Sequence, residues 1–341
     1  MRIAVVASPV TPLRPAQLGG AQAFVSDLAQ GLARRRHEVM LHCAEGSVVE
    51  GVRVVTVPVP PDAAAALVMP GGAEPPPAPG VAAALAEMFD AIASARVDAI
   101  SQHAFDAPAF DLARGMPVLH TLHLPPIVAS VVAAAGQATA GHLATVSVSC
   151  QAQWRATGVD VPLVLLNGVP DLEVDATPGR WALIAGRISP EKGIEHAIAA
   201  ARAAGLPVRL AGAHYDPAYA LDLGTADWIG SLPRDELRRV MAAAGVTVCA
   251  VRWEEPFGMV AAEAQMAGCP VAGYRRGALP EVVEEGVSGY LAAPDDIEDL
   301  GRAISSCLTL DRAAVRASAR RRLGMEAALD RYEAALAKVG M

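Results

Sequence analysis

Short runs of apolar residues alternate with longer amphipathic stretches through the first half of the chain. A continuous apolar run bounded by turn signals is typical of a strand that is buried on both faces of a parallel sheet. The alternation therefore predicts parallel strands covered by helices. The predicted strands are 2–7, 38–43, 52–57, 97–100, 117–122, 143–148 and 161–166, and the predicted helices include 21–35 and 81–95.

The same alternation restarts after residues 167–180, which are rich in turn-forming and polar residues. It predicts a second doubly wound α/β unit, and we expect a last helix near 325–338 to pack back toward the first. The predicted domains are therefore 1–166 and 167–322, with 323–341 as the returning helix. The predicted strands of the second domain are 181–186, 207–212, 226–230, 246–251 and 270–274.

Composition and charge narrow the class of partner. A chain of 341 residues with 53% hydrophobic residues is long and apolar enough for about two packed domains. The net charge of −8 repels phosphate, so we exclude nucleic acid as a partner and allow at most peripheral membrane contact. Arginine clusters at 34–36 and 320–322 are interpreted as solvated surfaces, with a membrane or partner contact as the alternative.

Cysteine usage and the N-terminal sequence bear on the compartment. The five cysteines are scattered without paired metal-ligand spacing, which predicts neither a disulfide framework nor a zinc site. The chain shows no signal-peptide core and no apolar run of about 20 residues. We therefore expect a cytoplasmic protein. Residues 58–80 contain eight prolines and predict a mobile loop on the rim of the first domain, with a simple spacer as the alternative.

Candidate ligand-binding residues follow the predicted strands, where doubly wound sheets bind their ligands. Gly19 and Gly20 precede the first long helix, so their backbone amides could approach an anion closely. This pair is not the glycine fingerprint of dinucleotide-binding proteins, and a simple turn is the alternative. His123 also follows a strand, although a structural histidine is the alternative and His103 and His120 compete with it.

Arg187 and Lys192 lie on the predicted loop after the first strand of the second domain. A guanidinium and an ammonium at a helix start suit a diphosphate. Lys192 is a stronger candidate than an ordinary surface lysine, because lysine is rare in this chain: the sequence contains two, Lys192 and Lys338. An ordinary surface position is the alternative for each residue.

The stretch RWEEPFGMVAAEAQMAG at 252–268 places Glu255 and Glu263 on either side of a predicted helix start. Pro256 fits the first helical position, which would leave the amides of Phe257, Gly258 and Met259 available to an oxyanion. The two carboxylates could accept hydrogen bonds from the hydroxyl groups of a polyol. A helix cap and a solvated helix face are the alternatives for the two glutamates.

Five segments, in this order, resemble the retaining family 4 glycosyltransferases. They are GGAQAFVSDLAQGLARRRHEV, LLNGV, GRISPEKG, EEPFGMVAAEAQMAGCPV and YRRGALPEVVEEGVSGYL. The likeness covers nearly the full chain. It implies the GT-B fold, in which two Rossmann-like, doubly wound parallel-sheet domains face a central cleft. Two residues depart from the family pattern: Arg36 stands where glycine is usual, and Arg252 stands where many members carry serine.

The resemblance implies that the second domain binds a nucleoside-diphosphate-sugar donor and the first binds a small-molecule, glycan or lipid acceptor. Arg187 and Lys192 would bind the diphosphate, Glu255 the transferred sugar and Glu263 the ribose, with His123 near the reacting sugar. These residues except Glu263 form the expected catalytic set. The expected donor-binding set is Gly19, Gly20, Phe257, Gly258, Met259, Val260, Glu263, Gly230 and Leu232.

The implied reaction is front-face displacement with retention, in which the acceptor attacks the face that the phosphate leaves. It needs no protein nucleophile, no cofactor beyond the donor as co-substrate, and no metal. A non-catalytic nucleotide-sugar-binding protein and a nicotinamide-dependent oxidoreductase are the alternatives. The base, the sugar, the acceptor and the oligomeric state are left open.

Overall fold

The computed structural model describes residues 1–14, 19–67, 76–171, 174, 176–214 and 219–340. The chain divides into two compact units. The first unit comprises Met1–Pro15, Ala21–Leu166 and Ala328–Met341, and the second comprises Ala16–Gly20 and Asn167–Ala327.

Strands and helices alternate along both units. The strands are β1 (Arg2–Val6), β2 (Glu38–Ala44), β3 (Arg53–Val57), β4 (Ala99–Gln102), β5 (Val118–Leu122), β6 (Leu143–Thr145), β7 (Leu163–Val164), β8 (Ala182–Ala185), β9 (Val208–Ala211), β10 (Asp227–Gly230), β11 (Val246–Cys249), β12 (Val271–Tyr274) and β13 (Gly289–Ala292). The α-helices are α1 (Gly20–Arg34), α2 (Ala63–Ala66), α3 (Pro79–Ala95), α4 (Ala107–Leu112), α5 (Ala129–Ala135), α6 (Val148–Ala156), α7 (Ile194–Ala203), α8 (Arg234–Ala243), α9 (Met259–Met266), α10 (Leu279–Val282), α11 (Ile297–Cys307), α12 (Arg312–Leu323) and α13 (Met325–Val339). A 3₁₀ turn at Pro190–Lys192 precedes α7.

Within the described residues, the first unit contains a seven-stranded sheet in the order β3-β2-β1-β4-β5-β6-β7. Its strand pairings are parallel, as in the register that sets Val5 opposite Ser101. Helix α3 shows why the helices cover this sheet. Its residues Leu85, Met88 and Phe89 fall on one helical face and are buried with the β-strand core. Full burial of each such side chain stabilises the fold by about 1.5–3 kcal/mol.

The second unit contains, in its described part, a six-stranded parallel sheet in the order β10-β9-β8-β11-β12-β13. Ile184, Val248 and Ala272 lie in its core together with the apolar face of α7. The central strands β8, β11 and β12 are buried on both faces, which explains why they read as continuous apolar runs.

The strand order reverses once in each sheet. In the first unit the reversal lies between β1 and β4, and in the second it lies between β8 and β11. Loops that leave such neighbouring strands in opposite directions open a crevice at the carboxyl ends, where open α/β sheets bind ligands. In the second unit, a ligand site is therefore expected at the residues that follow β8 and β11.

Helix α13 belongs mainly to the first unit, where it packs against α1. A Cβ atom on Gly31 would lie 2.7 Å from both methyl carbons of Leu329, so the two helices approach closely only because position 31 is glycine. Arg35 lies 2.8 Å from Glu333 in an ion pair at the end of this contact. None of the described helices combines the length and the apolar character needed to cross a membrane.

Several local predictions need correction. Predicted strand 143–148 stops at Thr145, because the Ser147 side chain accepts a hydrogen bond from Cys150 N and starts α6. Predicted strand 161–166 keeps only its central residues as β7. Strand β13 was not predicted. The predicted loop 58–80 contains α2 and the first two residues of α3, while its residues 68–75 lie outside the described part.

Arg36, two residues after the end of α1, adopts the left-handed conformation, with φ of 67°. Glycine adopts this conformation without a steric penalty, whereas an L-residue with a side chain pays about 1–2 kcal/mol. The residue that departs from the family pattern therefore occupies a glycine conformation.

Candidate active site

Two interlocked loops stand at the carboxyl ends of β8 and β11, on either side of the reversal in strand order. Arg252 N, after β11, donates a hydrogen bond of 2.8 Å to Glu191 O, after β8. Gly193 lies against the same loop, since a Cβ atom there would be 2.0 Å from Ala250 O, and its φ is +60°. Only glycine fits this position, so Gly193 is required where the two loops meet.

Lys192 and Glu255 form an ion pair across these loops. Lys192 Nζ lies 2.7 Å from Glu255 Oε2, and the two side chains are 20% and 12% exposed. Trp253 Nε1 donates to the same oxygen at 2.8 Å, and Lys192 Nζ lies 5.4 Å from the centre of the Trp253 ring. The sequence indicated Lys192 and Glu255 as two separate candidate residues, and the structure places them in contact.

The ion pair keeps Glu255 ionised. Burial alone would raise the pKa of this carboxyl, but Lys192, the Trp253 indole and the more distant Arg187 stabilise the anion and lower the pKa overall. A buried carboxylate held by a cation and an N–H donor is a strong hydrogen-bond acceptor for hydroxyl groups.

Arg187 also meets an acidic partner on the loop after β8. Its guanidinium lies 3.3 Å from Glu191 Oε1, and the Ser189 hydroxyl donates to that oxygen at 2.6 Å. Arg187 and Lys192 thus each have a carboxylate beside them. An anionic ligand would compete with Glu191 and Glu255 for these two cations.

Helix α9 begins three residues later than predicted. Gly258, with φ of +92°, is its N-cap, and Met259 rather than Pro256 is its first residue. A left-handed residue cannot lie inside a right-handed helix, so Pro256 and Phe257 belong to the loop. Gly258 provides no side-chain cap, which leaves first-turn amides, including that of Val260, for an anion near the positive helix end.

Gly20 lies close to this helix start. It groups with the second unit, and a Cβ atom on it would lie 2.8 Å from Met259 Cγ. Gly19, which precedes α1, is partly buried. The close approach gives a steric reason for glycine at position 20 beside α9.

Glu263 lies one turn into α9 and is 7% exposed. Arg234 Nε is 2.6 Å from its Oε1, and a terminal nitrogen of Arg238 is 3.8 Å from the same oxygen. Both arginines come from α8, so the carboxylate is held toward that helix. The structure therefore pairs the predicted ribose ligand with arginines that the sequence reasoning did not single out.

Gly230 is the last residue of β10 and Leu232 lies on the connection from β10 to α8; β10 is two strands from β8 in the sheet order. Gly212 N, after β9, donates to Gly230 O at 2.8 Å. Trp228 stands beside them with 47% of its surface exposed, and its Nε1 donates to Gly212 O at 2.9 Å. The exposure of Trp228 is a structural finding, because the sequence alone does not show which large aromatic side chains are exposed.

The loop after β12 holds the backbone of Glu254 and Glu255 through hydrogen bonds. Ala278 N donates to Glu255 O at 2.8 Å, and Gly277 N donates to Glu254 Oε2 at 3.1 Å. A Cβ atom on Gly277 would lie 2.4 Å from Glu255 N. The RGALPE segment therefore fixes the backbone that carries Glu255. Arg252 points instead to Asp295, 3.2 Å away.

In the first unit, two of the three competing histidines meet where β4 and β5 end. His103 Nδ1 and His123 Nε2 are 2.9 Å apart, and burial lowers the pKa of His123 to about 4. His120 lies within β5 and stacks on Phe110, with ring centres 4.6 Å apart. The candidate at the end of the strand is therefore His123, paired with His103.

Two family models match the chain. Residues 18–171 match the model described as Glycosyltransferase Family 4, and residues 176–327 match Glycosyl transferases group 1. Each of these matches lies mainly in one unit. Two solved structures share the fold over 99% of this chain.

The first is AviGT4, a glycosyltransferase involved in avilamycin A biosynthesis, at 22% identity, a TM-score of 0.72 and 98% coverage of that chain. The second is Anabaena Alr3699/HepE in complex with UDP-glucose, at 18% identity, a TM-score of 0.75 and 100% coverage of that chain. The two sheets and these neighbours define a glycosyltransferase fold of the GT-B type.

Curated relatives match a shorter region. The D-inositol 3-phosphate glycosyltransferase of Mycolicibacterium smegmatis is 39% identical over 148 residues, which cover 39% of this chain and 34% of that protein. The glycogen synthase of Mycobacterium tuberculosis is 34% identical over 155 residues, covering 41% of this chain and 37% of that protein. The matches thus span about a third of these relatives. The chain belongs to the glycosyltransferases of family 4 and group 1.

Proposed function

We propose that the chain transfers a sugar, with retention, from a nucleoside-diphosphate sugar to an acceptor hydroxyl. One observation carries the proposal: the Lys192–Glu255 ion pair stands at the reversal in strand order, beside the uncapped start of α9. A cation, a carboxylate and free helix-start amides together suit a ligand that is part diphosphate and part polyol.

The diphosphate would take Arg187, Lys192 and the first amides of α9 as its partners. These groups are fixed by the loop contacts before the ligand arrives, so they stabilise negative charge with little reorganisation. Lys192 would exchange part of its contact with Glu255 for a phosphate oxygen. Glu255 would then accept hydrogen bonds from hydroxyl groups of the transferred sugar.

In the proposed reaction, the bond from the anomeric carbon to the phosphate oxygen breaks and its electron pair leaves with the diphosphate. The acceptor oxygen bonds to the same face of that carbon, and its proton passes to the departing phosphate oxygen. Arg187 and Lys192 would neutralise the charge that develops on the leaving group, in place of a metal ion. Glu263 and the Gly230–Leu232 connection are proposed to hold the nucleoside.

The named relatives and neighbours suggest which ligands to test first. UDP-glucose is the first donor because one structural neighbour is a UDP-glucose complex. D-inositol 3-phosphate is the first acceptor because relatives carry it in their names. GDP-, ADP- and TDP-sugars, with neutral polyols and glycans, complete the panel.

The test measures donor consumption and product configuration. The chain is incubated with each donor, with and without acceptor, in the presence and absence of EDTA. Mass spectrometry follows nucleoside diphosphate release, and NMR of the anomeric proton gives the configuration. We expect EDTA-insensitive release that needs Lys192, and a product that keeps the donor's anomeric configuration. An inverted product would refute retention, and tight donor binding without turnover would favour a binding protein.

A further inference from the structure

Three polar side chains form a chain of hydrogen bonds inside the first unit. Ser101 Oγ lies 2.8 Å from His103 Nε2, and His103 Nδ1 lies 2.9 Å from His123 Nε2. Ser101 is within β4, His103 follows β4, and His123 follows the neighbouring strand β5. The parallel register of the two strands therefore brings the three groups into one line.

The buried hydroxyl sets the direction of these hydrogen bonds. Ser101 is fully buried, and its Oγ has no other hydrogen-bond partner among the described residues. A buried hydroxyl that does not donate costs about 1–3 kcal/mol. Ser101 must therefore donate to His103 Nε2, which has to be unprotonated to accept.

The same reasoning passes along the line. A neutral histidine carries its proton on one ring nitrogen, so His103 carries it on Nδ1 and donates to His123 Nε2. His123 Nε2 is then an acceptor, and the His123 proton resides on Nδ1. In the described part of the chain, His123 Nδ1 makes no hydrogen bond, so its N–H is a donor that remains available to a ligand.

Ring packing holds this arrangement and keeps it neutral. The Tyr332 ring centre lies 6.0 Å from that of His103, and the Phe24 ring centre lies 5.9 Å from that of His123. Both imidazoles therefore pack against aromatic rings on elements of the same unit. Burial lowers the pKa of both histidines, so neither is charged at neutral pH.

We propose that Ser101 and His103 are positioning residues that fix His123 as the Nδ1–H tautomer, so that His123 offers a hydrogen-bond donor and not a general base. If the proposed function is correct, on which this role depends, the N–H donates to an oxygen of the transferred sugar or the acceptor. The tautomer itself follows from the first unit alone.

The direct test is NMR of the uniformly ¹⁵N-labelled chain at neutral pH. Long-range ¹H–¹⁵N correlations report which ring nitrogen is protonated, and the His103→Gln and His123→Gln variants assign the two signals among the eight histidines. We expect protonated Nδ1 and unprotonated Nε2 on both residues. A protonated Nε2 on either residue in the wild-type chain would overturn the proposal.

Two variants test the role of Ser101. Ser101→Ala removes the donor, so we expect the protons to move to Nε2 on both histidines and sugar transfer to fall about tenfold, the value of one hydrogen bond. Ser101→Thr keeps the hydroxyl and should keep the Nδ1–H signals. Thr145→Val, which deletes another buried strand hydroxyl, is the matched control and should leave both signals unchanged.

The outcomes separate this proposal from the proposed function. Nδ1–H signals in a chain that transfers no sugar would support the assigned tautomers and refute the proposed function. Sugar transfer by a chain with Nε2–H signals would do the reverse. Ser101→Ala with unchanged tautomers would show that the hydroxyl does not set the direction, and would contradict the proposal.

Discussion

Replacing Glu255 by glutamine should tighten nucleoside diphosphate binding and slow sugar transfer. Glu255 neutralises Lys192 across 2.7 Å. Glutamine keeps an oxygen for the Trp253 indole but removes the negative charge. Lys192 is then free for phosphate, while the hydroxyl groups of the sugar lose a charged acceptor.

The magnitude follows from the distance. A phosphate oxygen bound to Lys192 would lie about 4 Å from the Glu255 carboxylate, where two unit charges repel by about 1 kcal/mol in water and about 4 kcal/mol near a protein surface. Both side chains are partly exposed, which favours the lower half of that range. A gain of about 1–2 kcal/mol means roughly tenfold tighter binding of the free nucleoside diphosphate.

Isothermal titration with UDP and the other nucleoside diphosphates measures this gain, and initial rates with the preferred donor measure the loss of transfer. Glu254→Gln is the matched control, because it removes the same charge from the neighbouring, exposed residue. We expect it to leave the affinity within about twofold, since exposed charges are well screened. Weaker diphosphate binding by Glu255→Gln would refute the reasoning.

Three further changes test the local physics. Gly277→Ala forces a Cβ atom to 2.4 Å from Glu255 N, so it should lower the free energy of unfolding by more than about 2 kcal/mol. Gly286→Ala is the control: Gly286 has φ of +79° but no atom within 4 Å of the new Cβ, so the loss should be about 1 kcal/mol. Urea unfolding measures both values. Arg36→Gly should stabilise the first unit by about 1 kcal/mol in the same assay, because φ is 67° there; a loss of stability would contradict the assigned conformation. Burial raises the pKa of Asp106 to about 6, above its value in the unfolded chain, so stability is full at low pH and falls as pH rises from about 4 to about 6. Asp106→Asn should remove this slope and be more stable by about 2–3 kcal/mol at neutral pH, and an unchanged slope in urea unfolding against pH would contradict the assignment.

The sheets could be predicted from sequence because both are parallel and their central strands are buried on both faces. Such strands leave continuous apolar runs, and the order of strands and helices then fixes the fold class. Strand β13 escaped prediction for a steric reason. Its first residue, Gly289, must be glycine, since a Cβ atom there would lie 2.0 Å from Val271 O. A glycine required by packing reads as a turn signal in the sequence.

The start of α9 shows the opposite error. Pro256 is a common first helical residue, so the sequence favoured a start there. The positive φ of Gly258 moves the start to Met259. Proline and glycine are both signals near a helix start, and only the backbone conformation decides between them.

The candidate site was predictable in residue type but not in pairing. Strand ends, a rare lysine and two glutamates drew attention to Lys192, Glu255 and Glu263. That Lys192 binds Glu255 while Glu263 binds Arg234 depends on how loops from three strands meet. Likewise, the sequence offered three histidines, and the β4–β5 register pairs two of them.

The central claim is that Arg187, Lys192 and the start of α9 bind the diphosphate of the donor. Isothermal titration tests this claim directly by comparing the wild type with the double variant Arg187→Ala/Lys192→Ala. Each protein is titrated with the nucleoside diphosphate that the wild type binds most tightly, and with the matching nucleoside. Two lost charge-assisted hydrogen bonds, at about 1.5–3 kcal/mol each, predict at least a hundredfold weaker diphosphate binding and an unchanged affinity for the nucleoside. Equal diphosphate affinity in the two proteins would contradict the account.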